Sequence, residues 1–310
     1  MKTSHSEFFL SRWGKFLYGF PYLLMPLAPL FWSGNFILGR AVRASLPPIG
    51  LAFWRWFVAS LLLVSFAWPH LRQDWKTIIH HWKIVLFLSA LGIAAFNTLV
   101  YTGLRSTTAI NGILLQSALP IAIVAISYLF FRDTITPLQG LGVLVSLSGA
   151  ITIIIRGSLH VLAELSLNTG DVLIFIAVIC YAAYSVFLRK RPALHPLSFL
   201  TATFITGTII LLPLYLWEHF TREAMPVDRL TCIAVGYVAI FPSILAYLCF
   251  NRGVELLGAN RAGLFIHLMP VFGSIMAIVF LGERFKAFHG VGIVLILSGI
   301  VLATRPARGH

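Results

Sequence analysis

One stretch of this chain occurs twice, and the second copy fits the first without a gap. From Gly103 the sequence reads GLRSTTAINGILLQSALP, and from Gly253 it reads GVELLGANRAGLFIHLMP. The match continues through FFRDTITP and FLGERFKA into a glycine-rich segment that ends Leu-Ser-Gly in the first copy (Leu147-Ser148-Gly149) and in the second (Leu297-Ser298-Gly299). At an offset of 150 residues the copies share ten identities, among them Gly103/Gly253, Pro120/Pro270, Gly140/Gly290 and Gly142/Gly292. Shared apolarity does not bring glycine and proline into register, because these residues mark backbone geometry. The chain is therefore a tandem duplication. Trp32-Ser33-Gly34-Asn35 aligns with Tyr181-Ala182-Ala183-Tyr184 at an offset of 149, and Pro48 aligns with Pro196 at 148. The repeat thus covers each half, with residues 1–158 expected as the first unit and 159–310 as the second.

Each unit is made of long apolar runs. The chain is 59% hydrophobic and 11% charged, with a mean hydropathy of +0.90. Soluble domains carry about 25% charged residues. The runs reach about 20 residues without period-two alternation, which fits membrane-spanning helices rather than barrel strands. Ten spans are predicted, near 18–39, 48–67, 82–103, 109–131, 137–155, 170–189, 196–217, 230–252, 259–281 and 287–304. The expected fold class is an all-α polytopic membrane protein of ten transmembrane helices in two inverted five-helix repeats. Inversion follows from counting: five crossings send the second copy into the membrane from the opposite side. Lys and Arg number fourteen on the side of the N-terminus and eight on the other, with Arg189-Lys190-Arg191 the strongest cluster. This bias places both termini in the cytoplasm.

Several functions are excluded or disfavoured by what the sequence lacks. The net charge of +13 lies mostly in short loops, which reads as topology signalling, so no nucleic-acid partner is expected. Cys180, Cys232 and Cys249 have no metal or pairing spacing, and neither a metal nor a cofactor is expected. No phosphate-binding Gly-Lys-Ser/Thr loop is present, and none of the ten carboxylates falls at mid-span. An enzyme is not expected. Ion-coupled carriers usually hold acidic groups at membrane depth, so facilitated diffusion is the first reading.

Two five-helix units, each with a Gly…Ala…Pro span, an acidic residue after it and a last helix ending Leu-Ser-Gly, resemble the EamA-type drug/metabolite transporter superfamily. Trp32-Ser33-Gly34-Asn35 and Arg55 also look like that family's first repeat. Within it the chain is most similar to bacterial YddG-type amino-acid exporters. The resemblance implies a multi-pass protein of the bacterial inner membrane, a central cavity between the halves, and export of aromatic and other neutral amino acids by alternating access. A multidrug or cationic-metabolite exporter, proton-coupled through His267, is the alternative.

Neutral hydrogen-bonding and aromatic groups recur on the spans: Trp32, Asn35, Asn97, Tyr101, Asn111, Gln116, Tyr181, Tyr184, Ser243, Tyr247 and His267. Such a set suits a zwitterionic, partly apolar solute, and also suits bonding between helices. His267 reads either as a coupling or substrate-contacting group or as a neutral histidine bonded to a neighbouring carbonyl. Pro120 and Pro270 each free a carbonyl at mid-span, either as hinges that expose backbone to substrate or as packed kinks. Arg55, inside span 2, needs a partner or a substrate carboxylate. Glycines on spans 5 and 10 allow close packing within the chain, with a monomer expected and a homodimer left open.

Overall fold

A computed structural model describes residues 19–158, 160, 168–281 and 284–304. The basic signals at Lys2, Arg12 and Lys15, and the repeat mate of Asp133, Glu283, lie outside them. Every regular element among the described residues is helical. Helix α1 starts as Pro21–Leu24 and continues as Leu27–Val42, α2 is Pro48–His80, and α3 is Trp82–Ser106. Helix α4 is Ala109–Gln116 followed by Leu119–Phe131, and α5 is Pro137–Ile154. In the second half α6 is Thr169–Phe187 with a 3₁₀ turn Leu188–Lys190, α7 is Pro196–Thr221, and α8 runs over Arg229–Leu257. Helix α9 is Ala259–Leu264, a 3₁₀ turn Phe265–His267, then Leu268–Leu281, and α10 is Ala287–Thr304. Nine of these paths are individually long and apolar enough to cross a bilayer among the described residues. The tenth, α9, is apolar but broken near its middle.

The helices start where the sequence can satisfy their free amides. Prolines at the first turn begin α2, α5 and α7, where a missing N–H costs nothing. Thr136 with Gln139 and Asn168 with Asp171 form capping boxes on α5 and α6. The amides of Ile49 and Gly50 at the start of α2 instead donate to the Glu218 carboxylate of α7, at 3.3 and 2.6 Å. Helix α2 outruns its predicted end at 67 by more than three turns, passing straight through Pro69. Proline inside a helix forfeits one bond, and this stretch carries exposed Trp68 and Trp75 at the membrane edge rather than a loop.

Two pairs of equivalent helices, α2 with α7 and α5 with α10, pack against each other and run in opposite directions. On α2 and α7 the facing pairs are Gly50 with Glu218, Phe53 with Tyr215 and His70 with His195, so one number rises as the other falls. On α5 and α10 a Cβ added at Gly142 would meet the Gly299 carbonyl at 2.6 Å, and one at Gly149 would meet that of Gly292 at 2.7 Å. The crossing is symmetric, because 142 and 292, and 149 and 299, are repeat mates. Small residues are needed there because the backbones touch. This antiparallel pairing is the geometry of an inverted repeat.

Both halves also carry a π-helical turn at the same place. Ser89–Ala95 interrupts α3, and Ile240–Leu245 interrupts α8. A π turn leaves a carbonyl out of the regular ladder and often marks a functional site.

Candidate functional site

The centre of the molecule is organised by Arg55. It is 1% exposed and donates four hydrogen bonds. Its Nε reaches Ser243 Oγ at 2.6 Å, Nη1 reaches Asn35 Oδ1 at 3.0 Å and Tyr101 Oη at 2.8 Å, and Nη2 reaches the Pro242 carbonyl at 2.9 Å. The guanidinium also lies 4.7 Å from the Trp56 ring centre. Every acceptor is neutral, and no carboxylate of the described residues pairs with it. A buried ion normally finds a counter-ion, because the cost of removing its water is several kcal/mol.

Beside it is an aromatic box. Trp32 meets Tyr181 edge-on at 5.5 Å, Tyr247 at 6.2 Å and Phe250 at 5.2 Å, and Tyr181 lies 5.3 Å from Tyr184. Trp56 and Phe204 close the far side of Tyr247. A cavity of about 20 Å³ sits against Trp32, Asn35, Asn97, Gln116, Tyr181 and Met269, room for about one water molecule. Three polar atoms on its wall, Asn97 Nδ2, Gln116 Nε2 and Tyr181 Oη, make no hydrogen bond of normal length and angle. Asn97 and Tyr181 still interact with the neighbouring Tyr247 hydroxyl, while Gln116 Nε2 is left without a bond, and an unsatisfied buried polar group costs about 1–3 kcal/mol.

The two π turns and the two broken helices supply backbone acceptors to the same region. Tyr247 Oη donates to the Gly92 carbonyl at 2.5 Å, while Trp32 Nε1 and Arg55 share that of Pro242. Gly92 and Pro242 are repeat mates, and each receives a donor from the opposite half. Helices α4 and α9 break just before Pro120 and Pro270. The Ser117 carbonyl freed there accepts from His267 Nε2 at 2.9 Å, and the Met269 carbonyl accepts from Ser33 Oγ at 3.0 Å. His267 Nδ1 lies 2.7 Å from Ser146 Oγ. A carbonyl only accepts, so Nε2 carries the proton, and in the neutral ring Nδ1 accepts from the serine. His267 thus touches its own repeat mate on the pseudo-two-fold axis, and both its nitrogens are occupied.

One further symmetry crosses the site. Tyr101 Oη donates to Asn35 Oδ1 at 2.6 Å in the first half, and Tyr184 Oη donates to Asn251 Oδ1 at 3.0 Å in the second. Tyr101 and Asn251 are repeat mates, as are Asn35 and Tyr184. Each half therefore holds one Tyr–Asn bond between its first and third helices, with donor and acceptor exchanged. The first pair lies toward the end that carries Arg105 and Glu223, the second toward the end that carries Arg189 and Arg191.

Of the residues singled out from sequence, Trp32, Asn35, Asn97, Tyr101, Gln116, Tyr181, Tyr184, Ser243 and Tyr247 come together around Arg55. Asn111 does not. Its Nδ2 bonds Asp171 at 3.2 Å near one membrane face, where Asp171 also accepts from Thr107. His267 stands one layer away, behind Ile266 and Met269. Sequence reasoning missed Trp56, Phe204, Phe250 and Asn251. Only Asn251 had a signal, as the repeat mate of Tyr101.

An inverted ten-helix bundle with a polar and aromatic centre between its halves is the architecture of a secondary transporter. The sequence matches the EamA-like transporter family over residues 19–155 and again over 168–305. The chain belongs to that family. It is a multi-pass membrane transporter and not an enzyme. It is 28% identical to the uncharacterized transporter YyaM of Bacillus subtilis over 295 residues, 93% of this chain and 94% of that one. It is also 28% identical to an uncharacterized transporter of Archaeoglobus fulgidus, over 93% of this chain and 98% of the relative. A solved crystal structure shares the fold at a TM-score of 0.72 and 17% identity, covering 92% of this chain and 96% of the other.

Proposed function

We propose that this transporter exports amino acids, aromatic and other neutral ones, across the bacterial plasma membrane by alternating access, with both termini in the cytoplasm. The observation that carries this reading is Arg55, a buried guanidinium without a counter-carboxylate, set beside an aromatic box. A solute carboxylate supplies the missing anion by displacing neutral acceptors such as Asn35 and Tyr101 from the guanidinium, since four of its five N–H groups are already spent in this arrangement. Trp32, Tyr181 and Tyr247 supply the apolar wall, and the side-chain polar groups of Asn97, Gln116 and Tyr181 supply polar partners.

At about 20 Å³ the central cavity is too small for an amino acid, so this arrangement is closed around its centre. At one end Arg105 pairs with Glu223 at 2.5 Å, and Glu218 ties α7 to the start of α2. The mirrored bonds Tyr101–Asn35 and Tyr184–Asn251 act as the two gates, one opening as the other holds. Among the described residues no carboxylate reaches the centre, and His267 is committed on both nitrogens, which favours transport without proton coupling. The same lack of acid disfavours a cation as substrate.

A competition panel for binding to the purified protein tests the substrate class. Phenylalanine, tryptophan and neutral aliphatic amino acids are expected to compete with one another, and esters lacking the free carboxylate are expected to bind at least tenfold more weakly. Equal binding of acid and ester removes Arg55 from the site. Preferential binding of lipophilic cations overturns the reading.

A further inference from the structure

A second, larger space lies at the end of the molecule that carries Arg189-Lys190-Arg191. It holds about 620 Å³ and is lined by Ser185, Arg189, Arg191, Ala193, Asn251 and Glu255, among others. Its chemistry differs from the centre. Arg191 Nη2 and Glu255 Oε2 stand 2.8 Å apart on its wall, one on the α6–α7 loop and one on α8, and Arg252 joins the same carboxylate at 2.9 Å. The two charges are part-exposed, with side-chain exposures of 18% and 39%, so both remain reachable from the space. At its inner end sits Asn251, 5% exposed, whose Oδ1 is taken by Tyr184 while Nδ2 has no partner.

The space and the central cavity are stations on one face of α6. Tyr181 lines the central cavity, Tyr184 follows three residues later, and Ser185 and Leu188 line the outer space. Residues three and four apart share a helix face. The Tyr184–Asn251 bond lies between the two stations on that face, beside Phe250 packed on Tyr181.

We infer that this vestibule is a loading subsite for the free zwitterion, engaging the solute before the central site does. The inference rests on the amino-acid reading above. A zwitterion carries one anionic and one cationic group a few ångströms apart, and Arg191 and Glu255 offer one complementary charge to each. The solute inserts between them, its carboxylate on Arg191 and its ammonium on Glu255. The unpaired amide of Asn251 is then the next donor on the way inward. Exchanging a part-exposed internal pair for two external ones costs little, because solvent screening leaves such pairs weak. Weak capture followed by transfer is what a loading site requires.

Cysteine protection in liposomes tests it. Cys180, Cys232 and Cys249 are replaced by alanine, Ala193→Cys is introduced on the vestibule wall, and its alkylation by a maleimide is timed with and without millimolar L-phenylalanine. Phenylalanine is expected to slow labelling at least threefold. That protection is expected to survive Arg55→Gln, which disables the central site, and to disappear in the Arg191→Gln/Glu255→Gln double variant. Arg191→Lys, which keeps the charge, is expected to retain part of it and guards against a folding artefact. Phenylalanine flux with no protection at Ala193→Cys overturns the subsite and leaves the substrate reading standing. Protection abolished by Arg55→Gln but untouched by the double variant also overturns it, by assigning the effect to the centre. No phenylalanine flux in the parent protein overturns the substrate reading itself, and the subsite with it.

Discussion

Arg55 and Gln116 separate function from stability most sharply. Arg55 satisfies four neutral acceptors and leaves its charge for something outside the protein. Arg55→Gln is expected to lower phenylalanine flux at least tenfold, and Arg55→Lys to keep the charge but raise KM, because an ammonium lacks the planar fork. Flux unchanged in Arg55→Gln would contradict a carboxylate contact. Gln116 tests the other half of the site. Its Nε2 is buried and unbonded, so Gln116→Leu removes an orphaned donor and is expected to leave the melting temperature equal or higher while KM for the solute rises. A protein that melts lower without change in KM would make Gln116 structural.

Among the helices, the antiparallel crossing of α5 and α10 is one of the closest approaches. A Cβ at Gly299 would lie 2.5 Å from both the Gly142 carbonyl and the Ser146 amide, and neither is free to move. Gly299→Ala is expected to destabilise the protein by about 1–3 kcal/mol, the usual cost of overpacking, seen as a lowered melting temperature in detergent. A neutral effect would show that the helices separate freely. The loop after α4 is held to α6 differently. The Arg189 guanidinium and the Ser127 hydroxyl bonded to Asp133 hold its carboxyl below the usual carboxylate range. A depressed carboxylate stabilises above its unfolded pKa and loses that contribution as pH falls through the folded one. Asp133→Asn is therefore expected to melt slightly lower than the parent at pH 7, by no more than about 1 kcal/mol for so exposed a pair. The difference should vanish on acidification below the ordinary carboxylate range. A difference that grows with acid would refute the assignment.

The whole molecule was legible in the sequence to the extent that backbone-marking residues carried it. Gly142, Gly149, Gly292 and Gly299 announced the repeat, and five crossings per copy made it inverted. Pro120 and Pro270 pointed to the two broken helices. Other features left no local trace. The π turns at Ser89–Ala95 and Ile240–Leu245 have no shared motif, since Gly92 stands opposite Pro242. The predicted span ends at 67, just before Pro69, yet α2 continues through that proline to His80. Asn111 looked like its neighbours on α4 but sits at the outer turn, within reach of Asp171, and depth along a helix is set by packing rather than by residue type. The Tyr–Asn pairs are the clearest case. Tyr101 and Asn251, and Asn35 and Tyr184, are exchanged residue types at equivalent positions, so identity counting passed over the symmetry that the hydrogen bonds restore.

The proposed activity is passive, carboxylate-recognising exchange through a site between two inverted halves. It is tested most directly by counterflow of labelled phenylalanine in liposomes containing the purified transporter, with and without a pH gradient. Unlabelled phenylalanine inside is expected to drive uptake of label, loss of the pH gradient to change nothing, and Arg55→Gln to lower the effect at least tenfold. Strict dependence on the gradient, lost in His267→Ala, would contradict uncoupled transport. Absence of flux for every neutral and aromatic amino acid would contradict the substrate.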